Sequence, residues 1–143
     1  MPPKFFLLDT HVWIWALEED QRNLSPKILQ FVRERGKAGE ILVSDISFWE
    51  VANKSSGGKL TLSIETALWL ERAANAPGAT YLPIERAALI QSTRLGGAPP
   101  RDPADRILIA TAQLNAATLV TADAQIIDYA RGKNELSVHD ARN

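Results

Sequence analysis

Four carboxylates recur where a short apolar run gives way to a helix-forming stretch. They are Asp9 in Phe-Phe-Leu-Leu-Asp-Thr, Glu50 in Ser-Phe-Trp-Glu-Val, Asp105 in Asp-Pro-Ala-Asp-Arg-Ile-Leu, and Asp123 in Leu-Val-Thr-Ala-Asp. In an open α/β sheet the carboxyl ends of the strands line one crevice. Four carboxylates gathered there repel one another strongly unless a cation neutralises them. Oxygen ligands alone select a hard divalent ion, magnesium or manganese. Such a site points to metal-assisted phosphoryl chemistry.

Positioning these acids requires strands and helices in alternation. Phe5 to Leu8 reads as a buried parallel strand cut off by Asp9, with a short helix from about His11 to Leu17. Ser25-Pro26 opens a second helix, with Ile28, Leu29, Phe31 and Val32 as its apolar stripe and Gly36 as its end. Ile41 to Val43 is a second strand, and Ser47 caps the helix that carries Glu50, which Gly57-Gly58 breaks. Ser63 to Ala76 is an amphipathic helix expected to turn Ala67, Leu68 and Trp69 inward. Thr80 to Pro83 is a strand, Ile84 to Leu95 a helix, and Gly96 to Pro100 a turn-rich loop. Asp102-Pro103 begins a helix to about Leu114. A strand over Ala117 to Val120, a helix over Ala124 to Ala130 stopped by Gly132, and a strand over Leu136 to His139 complete the chain. This alternation predicts a three-layer α/β/α fold with a mostly parallel central sheet, one domain over residues 1–143.

Composition sets bounds on partners and compartment. The formal net charge is -1, so a nucleic-acid partner must be held by a local basic patch rather than a global field. Cys is absent, which rules out disulfides and thiolate metal sites and suits the cytoplasm. The apolar run near the N-terminus is too short for a signal peptide, and no stretch reaches transmembrane length, so no membrane partner is expected.

Each acid also has a purely structural reading. Ser47-x-x-Glu50 has the spacing of a capping box, and Asp102-Pro-Ala-Asp105 resembles one. Asp123 could simply cap the helix that starts at Ala124, and for it capping is the stronger reading. Asp9 is the hardest to dismiss, because it ends a strand of Phe and Leu where an unpaired charge is costly. Capping explains each acid singly. It does not explain their recurrence at the end of strand after strand. Helix N-termini there would also offer N–H groups to a phosphate.

Taken together, Leu-Leu-Asp-Thr-His-Val-Trp, Ser-Phe-Trp-Glu-Val, Asp-Arg-Ile-Leu-Ile-Ala-Thr-Ala and Leu-Val-Thr-Ala-Asp resemble the four blocks of PIN-domain ribonucleases, above all the VapC-type toxins of bacterial toxin–antitoxin modules. The likeness runs from about Phe5 to Asp123, and its specificity lies in the order and spacing of all four blocks. It implies catalytic, metal-binding roles for Asp9, Glu50, Asp105 and Asp123, with Thr10 and Thr121 as polar supports beside the metal. It implies hydrolysis of structured RNA, tRNA or rRNA, to a 5′-phosphate and a 3′-hydroxyl. A homodimer and a cognate VapB-type antitoxin belong to the same implication. One position departs from the pattern: many relatives carry His two residues before Asp102, where this chain has Pro100.

In the expected mechanism Asp9 is the central ligand, and magnesium lowers the pKa of a water for in-line attack on phosphorus. No His is required as a base, and His11 and His139 read as structural or surface residues. Lys54, Lys59, Arg101 and Arg106 flank the acids and are candidates for holding RNA. Lys54 could instead pair with Glu50 one turn earlier, and Arg106 could be a solvated helix residue. The first helix is apolar all round, so it is either buried or covered by a partner. Some of Trp13, Trp15 and Trp49 are expected in an antitoxin groove.

Other magnesium-dependent α/β modules fit less well. A receiver-like phospho-accepting domain needs an acidic pair after the first strand and a Lys ending a late strand. Here Thr10-His11 and Thr121-Ala122-Asp123 stand in those places. A haloacid-dehalogenase-like phosphatase needs Asp-x-Asp, and His11 occupies the second position. A scaffold that binds without cutting is not favoured, because all four acids are present.

Overall fold

The structure is a computed structural model, and it describes residues 4–132 and 135–143. Five short strands make one sheet: β1 (Phe6–Leu8), β2 (Ile41–Ser44), β3 (Thr80–Leu82), β4 (Thr118–Thr121) and β5 (Val138–Asp140). Their spatial order is β3-β2-β1-β4-β5, and each neighbouring pair runs parallel. Among the described residues the helices are α1 (Thr10–Leu17), α2 (Pro26–Lys37), α3 (Ile46–Ser56), α4 (Thr66–Asn75), α5 (Arg86–Ser92), α6 (Pro103–Leu114) and α7 (Ala124–Ala130). The expected three-layer α/β fold is present, and its sheet is wholly parallel.

The layers follow from the strands being apolar on both faces. Successive strand residues point to opposite sides. Leu8, Ile41, Val43 and Val120 enter a core shared with α1, α2 and α4. Leu7, Leu42 and Leu119 enter a second core with α6 and α7. A strand such as Ile41-Leu42-Val43 therefore needs helices over both faces.

Several local expectations are corrected. Ser25 caps α2 as expected, its Oγ accepting from the Ile28 N–H at 3.2 Å. The helix nevertheless runs through Gly36, and the positive φ that reverses the chain belongs to Gly39. Gly36 is there for close approach: a Cβ would come within 2.8 Å of the Gly78 carbonyl oxygen. In α4 only Trp69 and Ala73, four apart, are buried, while Ala67 and Leu68 are exposed. Adjacent residues cannot share one helix face, so the three in a row could not all turn inward. That helix begins at Thr66, because the Glu65 carboxylate accepts from the N–H groups of Ala67 and Leu68 at 3.0 Å. The helix expected over Ile84 to Leu95 is confined to Arg86–Ser92, whereas α7 spans Ala124–Ala130 as expected.

The strand order fixes where a site can form. From β1 the chain builds outward through β2 to β3, then crosses back to add β4 and β5 on the other side. Adjacent connections leave in opposite directions at the β1–β4 junction, which opens a crevice at the strands' carboxyl ends. The Asp9 N–H, just past β1, donates to the Val120 carbonyl at 2.9 Å and ties the two lips together. No helix among the described residues is long and apolar enough to cross a membrane.

Candidate active site

Asp9 stands at the switch point between β1 and α1. Its residue position is that of an N-cap, but its side chain does no capping. Instead Asp9 Oδ2 accepts from the Thr121 hydroxyl of β4 at 2.6 Å, and the residue is 5 % exposed. The Thr121 Oγ1 also accepts from the Asp123 N–H at 3.0 Å. One buried threonine thus sets the orientation of an acid on each side of the crevice.

Glu50 is buried as well, and it is not part of a capping box. Helix α3 begins at Ile46 beneath Asp45, so Ser47 lies inside it. The Glu50 Oε1 accepts from the Thr10 hydroxyl at 2.5 Å. Thr10 and Ser47 hydroxyls lie 2.8 Å apart; since the Thr10 proton goes to Glu50, Ser47 is the donor in that pair. The Lys54 Nζ lies 3.4 Å from Glu50 Oε2, which realises the pairing that the four-residue spacing suggested. Ser47 is thus a support for Thr10 and Glu50. Its Ser-x-x-Glu spacing mimics a cap.

Asp102 and Asp105 arrive on the first turn of α6. Asp102 caps that helix through a single oxygen, Oδ1, which accepts from Ala104 N–H at 2.8 Å and Asp105 N–H at 3.2 Å. One carboxylate oxygen each from Glu50, Asp102 and Asp105 lies within 4.8 Å of the others, close enough to share one ion. Asp102 therefore both caps a helix and joins this acid group. Asp123 caps α7, accepting from Gln125 N–H at 2.8 Å, and also sits on Thr121.

The electrostatics show what this convergence costs. Burial pushes the Asp105 carboxyl up to about 8, and the charges of Asp9, Asp102, Glu50 and Asp123 add to the rise. Asp9 is pushed up to about 6, again chiefly by burial. The Thr121 hydrogen bond and the Thr10 backbone oppose that rise, while Glu50 and Asp123 reinforce it. Asp9 lies outside the three-residue group that could share an ion, yet its charge reaches Asp105. Without a counter-ion this cluster resists full ionisation. An all-oxygen donor set that resists its own charge fits a hard divalent cation, and no sulfur or imidazole competes for it in the group.

The surrounding residues sort into several roles. His11 is half-buried, tilted against Trp15 at 5.6 Å between ring centroids. Its proton affinity is lowered by burial and then by Lys54, with Glu50 and Asp123 acting the other way, so it borders the acids. His139 stacks on Phe31 at 4.5 Å, as a structural residue does. Arg106 spends its Nε on the Pro100 carbonyl at 2.6 Å, so it fastens the 96–101 loop. Arg101 and Lys59 are exposed. Trp13 is 2 % exposed and packs against Phe48, Trp69 and Tyr81, so it cannot meet a partner; Trp15 is half-buried, and Trp49 is 58 % exposed.

Known proteins are similar to this chain in sequence and fold. The sequence matches the PIN domain family over residues 6–132. It is 33 % identical over 120 residues to Ribonuclease VapC22 of Mycobacterium tuberculosis, covering 84 % of this chain and 88 % of that protein. A DNA-bound VapBC from Salmonella typhimurium matches in fold with a TM-score of 0.69 at 16 % identity, over 96 % of this chain and 98 % of the other. FitAcB from Neisseria gonorrhoeae matches with a TM-score of 0.63 at 18 % identity, over 96 % and 98 %. With its acids gathered at the β1–β4 switch point and its four sequence blocks in order, the chain belongs to the PIN-domain family, in its VapC branch.

Proposed function

We propose that this protein is a metal-dependent endoribonuclease, the toxin of a toxin–antitoxin pair, acting on RNA in the cytoplasm. The observation that carries the reading is the acid cluster, in which buried Asp9 and half-buried Asp105 have their proton affinity raised chiefly by burial and further by the neighbouring acids. Its similarity to Ribonuclease VapC22 supports RNA as the substrate.

Asp9, Glu50, Asp105 and Asp123 carry the reaction, and Asp102 joins them. Glu50, Asp102 and Asp105 would hold magnesium or manganese, with Asp9 beside them. The ion would supply an activated water and charge stabilisation at the phosphate. Thr121 keeps Asp9 turned toward the crevice, and Thr10 does the same for Glu50. Such supports hold acids in their working orientation before substrate arrives.

A homodimer and a cognate antitoxin complete the reading. Helix α5 leaves Leu89 and Ile90 exposed, and α3 leaves Trp49 exposed, apolar area of the kind protein partners cover. The VapBC complexes among the structures of similar fold support an antitoxin partner.

Cleavage of labelled structured RNA with manganese or magnesium, with and without chelator, tests the reading against a Glu50→Gln variant. Gln keeps an acceptor for the Thr10 hydroxyl, so folding should survive, while its neutral amide is a poor ligand for a hard cation. Chelator-sensitive cleavage by wild type and its loss in a folded Glu50→Gln protein are expected. Equal cleavage by the variant would remove Glu50 from the site. Absence of cleavage, together with phosphorylation by a small phosphodonor, would return the signalling alternative.

A further inference from the structure

Lys54 occupies the second oxygen of Glu50 while Thr10 holds the first. The Glu50 side chain is buried, but that of Lys54 keeps 28 % of its exposure, so the ammonium stands at the mouth of the site. Among the described residues no other Lys or Arg forms an ion pair with Asp9, Glu50, Asp102, Asp105 or Asp123. Arg106, the neighbouring cation on α6, is already committed to Pro100.

We propose that Lys54 is a phosphate-binding residue that pairs with Glu50 in the metal-free protein and turns to the RNA phosphate once a divalent ion takes that carboxylate. The proposal rests on the nuclease reading above. An ordinary Glu–Lys pair on a helix surface is weak and screened by water. This pair differs, because its acid lies buried within a cluster of like charges. An ammonium and a divalent cation repel each other at one carboxylate oxygen, so the two compete for Glu50. The displaced ammonium keeps three donors on a flexible four-carbon stem and has lost its anion. Substrate brings the replacement anion, and Lys binds phosphate as a point charge. Lys54 therefore opposes the metal and supports the RNA.

Those two effects have opposite signs in one variant, which an incidental helix pair would not give. Lys54→Met keeps the length of the stem and removes the charge. By calorimetry without RNA, manganese should bind roughly threefold to tenfold tighter, which corresponds to about 0.7–1.4 kcal/mol. In cleavage assays KM for RNA should rise about tenfold, with a smaller change in kcat. Lys54→Arg should restore most of the KM. Lys37→Met removes the same charge from α2 and should change neither quantity. Thermal melting checks the fold, and Lys54→Gln takes the place of a Met variant that fails to fold. Unchanged KM in a folded Lys54→Met protein, or weaker manganese binding, overturns the proposal while leaving the nuclease reading intact. Wild type that neither binds manganese nor cuts RNA overturns the nuclease reading itself.

Discussion

Helices α1 and α3 each serve two clusters of opposite character. Trp13 of α1 and Phe48 of α3 meet at 4.9 Å between ring centroids and pack with Trp69 and Tyr81. Three residues before Trp13, Thr10 donates to Glu50, which lies two residues beyond Phe48. Burial is almost the same on both sides: Trp13 is 2 % exposed, Glu50 4 % and Asp9 5 %. For the aromatic rings burial is the source of stability. For the Asp9 carboxylate it is a cost, offset only in part by the Thr121 hydroxyl and the Thr10 backbone. The two helices are thus anchored at one cluster and held under electrostatic stress at the other. One flaw marks the aromatic side: the Trp13 indole N–H approaches the Tyr81 hydroxyl without completing a well-formed hydrogen bond, while that hydroxyl donates to the Ala73 carbonyl.

Truncation on each side should move stability in opposite directions. Trp13→Ala should cost about 3–5 kcal/mol in denaturant unfolding, the range for a large core aromatic. A loss below about 1 kcal/mol would show that the aromatic cluster does not anchor the helices. Asp9→Asn should instead stabilise the metal-free protein at pH 8 by about 1–2 kcal/mol, since it removes a charge that burial penalises. The same variant should lose cleavage roughly a hundredfold or more, the scale of losing one preorganised charged group. A destabilised, fully active Asp9→Asn protein would break the comparison.

The stress should also be visible as a pH dependence without any mutation. Asp9 and Asp105 have folded-state values of about 6 and about 8, both above the ordinary 3.8. Groups raised in this way stabilise the fold fully below about pH 4, and that contribution is lost as pH rises through 6 and then 8. Metal-free protein should therefore lose on the order of 2 kcal/mol between pH 5 and pH 8.5, an amount already reduced for the partial exposure of Asp105. Manganese binds the ionised acids, so it should flatten or reverse the slope. Melting curves across that range, with and without chelator, decide the matter. A metal-free protein that gains stability toward pH 8.5 would contradict the assigned stress.

Thr121→Val separates the support of an acid from the acid itself. Val keeps the shape but removes the donor to Asp9 and the acceptor for the Asp123 N–H. Leaving these groups unpaired should cost about 1–2 kcal/mol of stability. Metal affinity should fall about tenfold, as for loss of a group that orients a ligand. Calorimetry with manganese reads this directly. Unchanged affinity would mean that Asp9 needs no help from β4.

How far the sequence foretold these clusters depends on whether the signal is local. Asp9 was legible because a charge ending a Phe-Leu strand has few harmless explanations. The Glu50–Lys54 pair was legible from its spacing. The Ser47–Glu50 spacing misled, because a capping box and two interior residues of a helix share it, and only the start of α3 at Ile46 tells them apart. The sequence marks Asp102 as a helix opener, and nothing local says that it also joins the other acids, which it can because a carboxylate has two oxygens and its cap uses one. The Thr121–Asp9 bond joins residues 112 apart, and only the adjacency of β1 and β4 creates it. Likewise α1 is apolar all round, so nothing local says that Trp13 turns inward while Trp15 is only half covered. Gly36 shows the same limit: its purpose is Gly78, on a loop forty-two residues away.

The smallest effect on stability should come from the one aromatic of α3 that joins neither cluster. Trp49 stands between Phe48, which packs inward, and Glu50, which faces the acids, and it is 58 % exposed. A side chain so placed contributes little to the fold, and Trp49→Ala should change stability by less than about 0.5 kcal/mol. An indole kept at the surface next to the buried Glu50 is instead suited to a partner, where exposed tryptophans concentrate binding energy. Affinity for the antitoxin should then fall by about 2 kcal/mol, roughly thirtyfold, in a titration of the purified pair. RNA cleavage by the free toxin should be unaltered. A large loss of stability would assign Trp49 to the anchoring cluster after all. Unaltered antitoxin binding would remove it from the partner surface and leave the half-buried Trp15 as the other candidate indole.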